Sequence, residues 1–294
     1  EHKTQAEIAA ILGTTRWQVG RLLAAARESG IVRIEIVHPR ARRVARERRL
    51  CDTFGLRAAV VVGSTDDPAE RDARVAQAAA DYLVALRPVP RTLGISWGRT
   101  LEAVAERLPQ GWANGVDVVQ INGGVTLSRR PGRAAATAES IARRAGGAAT
   151  LLPSPAILER RETKLAIEAD RTVREVLELG AAASAYLYSA GTADHASVHV
   201  ESGYLTPDEV DELVRKGAVG DVVGRYIDAD GHIVDPGLDE RTLGISLDRL
   251  RSAAIGILVV SGTPKHPIAG AVVNSGMCSV VITDDMTAEY LLDA

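Results

Sequence analysis

The stretch RTLGISWGRTLEAVAERL, residues 91–108, joins a short apolar run to an amphipathic run through a glycine-containing turn. The first run predicts a buried strand, and the second predicts a helix with one apolar face. A strand followed directly by a helix is the repeating unit of an α/β protein. The turn between them, from Ser96 to Thr100, is therefore expected at the carboxyl end of a strand, where open sheets bind ligands.

The alternation of strand-like and helix-like runs continues through residues 56–294. Strands are also predicted in LRAAVVVG, VDVVQINGG, ATLLPSP, SAYLYSAG, IGILVVSG and CSVVITD, with amphipathic helical runs between several of them. This order predicts an α/β fold with a mostly parallel sheet covered on both faces by helices. The stretch AVGDVVGRYIDADGHIV, residues 218–234, is expected to be irregular.

The totals fit a globular protein with a sizeable core. The 294 residues are 46% hydrophobic and 25% charged. No apolar run approaches the roughly 18 residues that span a bilayer, so no membrane partner is expected. Cys51 and Cys278 are the only cysteines and lie far apart, which favours reduced core residues of a cytoplasmic protein.

Charge is distributed unevenly along the chain. Residues 1–50 carry 11 basic and 5 acidic side chains, a net charge of +6, whereas the remainder carries −9. A basic head on an acidic body indicates a polyanionic partner for the head alone. Taken by itself, the arginine-rich run at residues 40–49 is more typical of a solvated linking helix.

The segment QAEIAAILGTTRWQVGRLLAAARESGIV, residues 5–32, has the pattern of a helix-turn-helix. Gly13 ends a first helix, and Thr14 or Thr15 caps a second. Small Ala9 allows the helices to cross closely, and the second helix is expected to bury its apolar residues, which are Val19, Leu22 and Leu23. A pair of helices that only pack together is the alternative.

The exposed side of the second helix carries side chains suited to DNA. The candidates are Thr15, Arg16, Trp17, Gln18 and Arg21. Arginine bonds guanine, glutamine pairs with adenine, and threonine contacts a thymine methyl group or a phosphate. Trp17 has two interpretations, core packing or contact with the DNA backbone.

The alternating segment 31–36 predicts a small wing strand. A linking helix is predicted after Pro39, and it places the predicted boundary between domains 1–54 and 55–294.

The turn at Ser96 has two chemical interpretations. GISWG fits the G-x-S-x-G elbow of hydrolases, with Ser96 as nucleophile and His266 as the late histidine, but the expected preceding strands are missing. Alternatively, Gly98, Arg99 and Thr100 form a phosphate cradle at a helix start, and Lys265 closes on the same anion. We favour the cradle and predict no catalytic residue.

No metal or other cofactor is expected. His195 and His199 are four residues apart, but the surrounding TADHASVHVESGY is typical of irregular structure. Both histidines are therefore predicted to lie on the surface rather than to bind a metal.

A series of runs identifies a family resemblance over essentially the whole chain. The runs are TQAEIAAILG, RLLAAARESGIVRIEI, GISWGRTLEAVAERL, VVQINGGV, LLPSPAIL, SGYLT, AVGDVVGRYIDADG, ERTLGISLDRLR and VVSGTPKHPIAGAV. In this order they resemble the SorC family of bacterial sugar-responsive transcriptional regulators. The resemblance implies a helix-turn-helix domain followed by an effector domain similar in fold to sugar-phosphate isomerases and deaminases. An enzyme of that isomerase or deaminase type is the alternative function.

The resemblance also implies partners and site residues. The partners are operator DNA, a small sugar, polyol or sugar-phosphate effector, and further copies of the chain in a homo-oligomer, a tetramer built from dimers. The phosphate would be held by the loop at Gly98, Arg99 and Thr100 and by Lys265. The sugar would be lined by Asn122, Gly123, Gly124 and Asp221.

This chain departs from the family pattern in two ways. Ser261-Gly262 replaces a glycine pair before Lys265, whose flanking prolines are expected to shift it. No lysine follows the Asn-Gly-Gly turn closely, so a Schiff base there is not expected.

Overall fold

The computed structural model of the chain describes residues 4–28, 42–124 and 133–293. The chain divides into two compact units, Glu1–Ala41 and Arg42–Ala294. The predicted wing strand at residues 31–36 lies outside the described residues. In the part that is described, no helix combines the length and the apolar composition that crossing a membrane requires.

The first unit contains helices α1 (Gln5–Leu12) and α2 (Arg16–Glu28), joined by a tight turn. Gly13 adopts the left-handed conformation, with φ of 61°, and ends α1 as predicted. Ala9 and Val19 are buried, also as predicted. Leu22 is 62% exposed, so its predicted burial is wrong. Helix α1 has only eight residues, so it offers a short surface for α2 to pack against.

The second unit is built on a seven-stranded parallel sheet in the order β1-β10-β9-β5-β2-β3-β4. Its strands are β1 (Ala58–Val62), β2 (Thr92–Ile95), β3 (Asp117–Gln120), β4 (Ala149–Thr150), β5 (Ala185–Tyr188), β9 (Gly256–Val259) and β10 (Val280–Asp284). The chain runs outward from β2 through β3 to β4, and then returns to the other side of β2 at β5. This reversal creates a switch point between β2 and β5, where open α/β sheets bind ligands.

Helices cover both faces of this sheet, as the sequence predicts. The helices described in this unit are α3 (Val44–Phe54), α4 (Pro68–Ala85), α5 (Arg99–Arg107), α6 (Arg133–Arg144), α7 (Arg161–Ala169), α8 (Arg171–Ala181), α9 (Val198–Glu201), α10 (Pro207–Arg215), α11 (Pro236–Asp239), α12 (Leu247–Arg251), α13 (His266–Asn274) and α14 (Asp285–Asp293). One face packs on α4, α5 and α6, and the other on α3, α8, α12, α13 and α14. Alternate residues of β1 enter the two cores: Val60 and Val62 lie in one, and Ala59 and Val61 in the other.

A second, antiparallel sheet was not predicted. It consists of β6 (Ala190–Thr192), β7 (Gly220–Val222) and β8 (Arg225–Ile227), in that order. The expectation that residues 218–234 are irregular is therefore wrong. Val223 and Gly224 form the two-residue loop of a β7–β8 hairpin, with φ of 49° and 87°. Two positive φ values suit a tight hairpin loop, but valine is an unusual residue for one, so the sequence carried no hairpin signal.

Helix α3 lies with the body rather than with the N-terminal unit. Its Leu50 is fully buried in the main core, and the Glu47 carboxylate accepts a hydrogen bond from the N–H of Val61 at 2.9 Å. Arg42 pairs with Glu47 through two nitrogens, at 2.7 and 2.8 Å. The compact units accordingly divide after Ala41, which is earlier than the boundary predicted after residue 54.

One other predicted element differs in extent. Strand β4 contains only Ala149–Thr150, because Pro153 and Pro155 follow and have no N–H for a strand ladder.

Cys278 is buried and Cys51 is half-buried, and both are free thiols.

Candidate functional site

A cavity lies at the carboxyl ends of β2, β5 and β9, at the switch point of the sheet. Six of the eight residues predicted to bind an effector line it: Gly98, Arg99, Thr100, Asn122, Asp221 and Lys265. They come from turns that are far apart in sequence. Parallel strands bring these turns together because their carboxyl ends share one edge of the sheet.

One end of the cavity is the start of helix α5. Gly98 is the N-cap, with φ of 136°, a conformation that residues with a side chain rarely adopt. No side chain of the described residues caps this helix, so its first N–H groups are available to an anion. Arg99 and Thr100 add a positive charge and a hydroxyl group. These are the groups that a phosphate needs.

Lys265 reaches the same cavity from the end of β9. It closes a short 3₁₀ helix, Thr263–Lys265, and its Nζ donates to Ser189 Oγ at 3.4 Å. Burial lowers the pKa of Lys265, while the nearby carboxylates of Asp221 and Asp72 oppose that shift. An anionic ligand would act in the same direction as these carboxylates and favour the charged ammonium.

Asp284 fixes the turn that carries Lys265. Its fully buried carboxylate accepts from the N–H of Gly262 at 2.8 Å and from the hydroxyl of Thr287 at 2.7 Å. Its other oxygen accepts from the N–H groups of Met286 and Thr287, at 3.0 and 3.1 Å. Asp284 thereby joins the end of β10, the start of α14 and the turn before Lys265.

The prolines beside Lys265 do not remove it from the cavity. Pro264 and Pro267 each lie in the first turn of a helical segment, where a missing N–H leaves no bond unmade. Lys265 lines the cavity with both prolines in place.

The cavity lining also carries polar side chains with buried oxygen atoms. Ser96 and Asn122 are both 3% exposed, and both line the cavity. Within the described ranges, Ser96 Oγ and Asn122 Oδ1 have no hydrogen-bond partner. Trp97 lies beside them and donates its indole N–H to the carbonyl oxygen of Gly123 at 2.6 Å.

Gly123 and Gly124 do not line the cavity, in contrast to the six residues above. A Cβ on Gly123 would lie 2.1 Å from the carbonyl oxygen of Pro155, so this position requires glycine for close backbone packing. Gly124 accepts a hydrogen bond from the Tyr204 hydroxyl at 2.5 Å through its carbonyl oxygen. The two glycines therefore shape the wall behind Trp97.

His199 was predicted to lie on the surface, and this is wrong. It is 1% exposed and lines the cavity, with its Nδ1 3.2 Å from the Tyr226 hydroxyl and 3.9 Å from Asp221 Oδ1. The short helix α9 turns its ring inward, against the rings of Trp97 and Tyr204. Burial raises the pKa of Tyr226, which keeps the hydroxyl neutral.

Asp221 is held by the β7–β8 hairpin. Its Oδ2 accepts from the N–H of Gly224 at 3.0 Å. A Cβ on Gly191 of the neighbouring strand would lie 2.1 Å from Asp221 Oδ1, so glycine leaves the room that this carboxylate occupies. The sequence predicts a role for Asp221, but it carries no signal for the hairpin that orients this side chain.

The hydrolase alternative requires Ser96 and His266 in one site. Ser96 lines the cavity, whereas His266 does not. The His266 ring stacks on Tyr290, with the ring centres 4.7 Å apart. The two side chains therefore belong to different environments, and the G-x-S-x-G pattern is a match in letters only.

The five residues predicted to contact DNA are all exposed on the first turns of α2. Trp17 is 68% exposed, so it is not part of a core, and the Arg21 guanidinium lies 4.9 Å from its ring centre. Thr15 Oγ accepts from the N–H of Gln18 at 3.3 Å, and Gln18 Oε1 accepts from the N–H of Thr15 at 3.1 Å. This reciprocal pair is a capping box, so Gln18 has a local structural role besides the one predicted.

The two histidines considered as metal ligands lie apart in the structure. His195 Nε2 lies 2.8 Å from Asp211 Oδ1 on the surface, away from buried His199. In the described residues, one cluster of possible ligand atoms is formed by Asp228, Asp230 and His232. Asp228 Oδ1 already accepts from the N–H groups of the other two, at 3.0 and 2.8 Å, so this cluster is a hydrogen-bonded turn.

The chain is similar to a family of sugar-binding domains and to two bacterial regulators. The family model Sugar-bind, "Putative sugar-binding domain", matches residues 38–293. The deoxyribonucleoside regulator of Bacillus subtilis is 31% identical over 99% of this chain and 93% of its own length. The erythritol catabolism regulatory protein EryD of Brucella abortus is 28% identical over 98% of this chain and 92% of its own length.

A solved structure matches over nearly the whole length. The full-length sorbitol operon regulator SorC from Klebsiella pneumoniae has a TM-score of 0.79 and 29% identity, and the match covers 99% of this chain and 94% of that one. These relatives are regulators, which supports a sugar-responsive regulator of transcription over the isomerase-like enzyme. The chain belongs to the SorC family of sugar-responsive transcriptional regulators.

Proposed function

We propose that this chain binds operator DNA through helix α2 and that a small sugar, polyol or sugar phosphate in the cavity controls that binding. The observation that carries the proposal is the convergence of Arg99, the α5 N-terminus and Lys265 in one cavity. Two cations and free N–H groups beside a polar wall favour a ligand with a phosphate at one end and hydroxyl groups at the other.

In the DNA-binding unit, Arg16, Trp17 and Arg21 form an exposed basic and aromatic face on α2, flanked by Thr15 and Gln18. Because the Arg21 guanidinium stacks over the Trp17 ring, the Arg21 side chain is partly ordered before DNA is bound. It therefore loses less conformational entropy when it contacts DNA. We assign direct contacts with bases or phosphates to these five residues.

A route for coupling supports control by the effector. Beyond the turn fixed by Asp284, helix α14 forms ion pairs with helix α3. Asp285 pairs with Arg43 at 3.1 Å and also with Arg46, which reaches Glu289 at 3.2 Å. Helix α3 begins two residues after the division between the compact units. A shift of the Lys265 turn would thus move α14 and, through these ion pairs, the start of α3.

We propose that the chain acts as a tetramer built from dimers. Paired α2 helices would bind half-sites about one helical turn apart, or a multiple of that distance. Effector binding would change the spacing of the pair, with a coupling free energy of roughly 1–3 kcal/mol. Its place of action is the cytoplasm, and we propose no catalytic turnover.

The effector site is tested by Lys265→Ala with Lys216→Ala as the matched control. Lys216 pairs with Asp235 and does not line the cavity. A thermal-shift screen of sugars, polyols and their phosphates first identifies a compound that changes operator binding. Lys265→Ala should abolish that response and keep operator affinity without effector, whereas Lys216→Ala should keep both. A full response in Lys265→Ala would contradict the phosphate assignment.

The DNA contact is tested by Arg21→Ala with Arg215→Ala as the control. Arg215 is an exposed arginine on α10 of the second unit. Arg21→Ala should weaken operator binding by about 1–3 kcal/mol at physiological salt, and Arg215→Ala should leave it unchanged. Equal affinity of wild type and Arg21→Ala would refute the assigned contact.

A turnover assay separates the regulator from the enzyme alternative. Candidate sugar phosphates are incubated with the chain, and both product formation and operator binding are measured. Turnover without any effect on operator binding would overturn the proposed function.

A further inference from the structure

Among the residues that line the cavity, Ser96, Asn122 and Ser197 each have a buried side-chain oxygen atom without a hydrogen-bond partner in the described residues. Ser197 lies near the Tyr226 hydroxyl, and the other two need an explanation. Ser96 Oγ and Asn122 Oδ1 are buried and, within the described ranges, lack a hydrogen-bond partner in the protein. A buried polar atom without a partner costs about 1–3 kcal/mol, so folded proteins rarely keep one without a function. Two such atoms in the same wall indicate a ligand that supplies their missing hydrogen bonds.

Ser96 and Asn122 lie at the ends of neighbouring strands and line one cavity. Ser96 directly follows β2 and Asn122 lies just beyond β3, and these strands pair in parallel with Ile95 opposite Gln120. The chain continues from Ser96 to Gly98 and Arg99, the cationic end of the cavity, within three residues. A ligand whose phosphate is bound at the α5 N-terminus would therefore have Ser96 and Asn122 in the same cavity.

Covalent capture of a sugar carbonyl by a lysine has no support at this wall. The sequence has lysines only at positions 3, 164, 216 and 265. Lys164 and Lys216 are outside the cavity lining and pair with Glu168 and Asp235. Lys265 lies in the turn after β9, where it contacts Ser189. Recognition at Ser96 and Asn122 is consequently by hydrogen bonds.

We propose that Ser96 and Asn122 bind two hydroxyl groups of the effector, so that the chain selects a hydroxylated sugar or polyol over its deoxy counterpart. The proposal rests on the effector cavity described under the proposed function. Asn122 Oδ1 can only accept, so its partner must be an O–H donor, whereas Ser96 Oγ both donates and accepts. A deoxy ligand leaves a buried oxygen unpaired, and sites built around a hydroxyl group reject analogues that lack it.

The affinity test uses the full chain and isothermal titration with five probes: ribose 5-phosphate, 2-deoxyribose 5-phosphate, glucitol 6-phosphate, ribitol and inorganic phosphate. Wild type should bind the hydroxylated phosphates about tenfold more tightly than 2-deoxyribose 5-phosphate. Ser96→Ala and Asn122→Ala should each weaken the binding of ribose 5-phosphate about tenfold and leave the affinity for inorganic phosphate unchanged. Only the variant that removes the partner of the 2-hydroxyl group should lose the preference over 2-deoxyribose 5-phosphate. Equal binding of hydroxylated and deoxy probes by wild type would overturn the proposal.

A stability measurement separates ligand binding from a structural role. Ser96→Ala removes a hydroxyl group that has no partner among the described residues, so Tm without ligand should stay the same or rise. The control is Ser252→Ala, at an exposed helix end where Oγ donates to the Arg249 carbonyl oxygen at 3.1 Å. A fall of several degrees for Ser96→Ala, with the ligand preference unchanged, would identify Ser96 as structural and refute its role in binding.

Free ribitol distinguishes this proposal from the proposed function. If every phosphorylated probe and inorganic phosphate fail to bind, but ribitol binds in a Ser96-dependent way, the phosphate assignment is wrong and hydroxyl recognition stands. If inorganic phosphate binds and no probe shows dependence on Ser96 or Asn122, the phosphate assignment stands and hydroxyl recognition is wrong. Failure of all five probes to bind would overturn both.

Discussion

Asp284 combines complete burial with four hydrogen bonds. The donors belong to two segments: the Gly262 turn, and Met286 and Thr287 in the first turn of α14. A buried carboxylate is stable only when its oxygens are satisfied in this way. The residue thus couples the position of Lys265 to the packing of α14.

Asp284→Ala should destabilise the protein by about 2–4 kcal/mol, because it leaves the N–H of Gly262 and the groups of Thr287 without an acceptor. The free energy of unfolding in urea measures this. The control is Asp248→Ala, since the Asp248 side chain is 88% exposed and its pair with Arg251 lies on the surface. Similar losses for the two variants would show that the Asp284 network contributes little.

His266 predicts a dependence of stability on pH. Burial lowers the pKa of His266, and Arg71 adds to this effect while Asp284 opposes it. Below about pH 6.5 the unfolded chain therefore takes up a proton that the folded chain does not, so stability falls as the pH falls. His266→Phe, which keeps the stacking on Tyr290, should reduce the fall in Tm between about pH 7.5 and 5.5.

The control for this pH effect is His232→Phe, because His232 is 77% exposed and lies on the rim of an acidic turn. It should keep the wild-type profile. A profile of His266→Phe that follows wild type throughout would mean that another group causes the loss in acid.

Single residues were predicted best where their chemistry is local. Gly98, Arg99 and Thr100 are neighbours in sequence, and a glycine before a helix start is sufficient to suggest an anion site. The burial of His199 could not be read from TADHASVHVESGY, because the residues that cover it, Trp97 and Tyr226, lie far away in the chain.

At the scale of elements, the β7–β8 hairpin decides where Asp221 points. Its two-residue loop requires positive φ at Val223 and Gly224. Gly224 also lacks room for a side chain, since a Cβ would lie 3.2 Å from Thr242 Cγ2. Because the N–H of Gly224 binds the Asp221 carboxylate, a distorted loop would also misplace Asp221.

Gly224→Ala should cost more stability than Gly217→Ala, which has a similar φ of 95° but no atom within 4 Å of the new Cβ. The strain of a positive φ is about 1–2 kcal/mol in both variants, and contact with Thr242 adds to it only in Gly224→Ala. Chemical denaturation gives the difference. Equal losses would mean that the loop relaxes and that the contact has no effect.

At the scale of the whole molecule, α3 connects the two units in sequence but is packed as part of the second. Burial of Leu50 and the pairing of Glu47 with Arg42 and Val61 are contacts that a body starting at residue 55 would lack. The Arg43 N–H also donates to the carbonyl oxygen of Val61 in the edge strand β1, at 2.8 Å. The folding unit therefore begins near Arg42.

A fragment of residues 42–294 should unfold cooperatively with nearly the stability of the second unit in the full chain. A fragment of residues 55–294 should lose at least about 4 kcal/mol, from the exposed Leu50 pocket and the unpaired Val61 N–H. Urea denaturation followed by circular dichroism compares them. Equal stability of the two fragments would place the boundary after residue 54, as the sequence suggested.

The sequence by itself determined the α/β class, the parallel strands and the turns that follow them. These features depend on apolar periodicity and on glycines at turns, which are properties of neighbouring residues. It also identified most of the cationic end of the cavity. Only the tertiary structure decided that Ser96 and Asn122 lie unpartnered in one wall, that His199 is buried, and that α3 packs on the body. The reason is that burial and pairing depend on segments remote in the chain, and local patterns do not encode which remote segment will cover a given side chain.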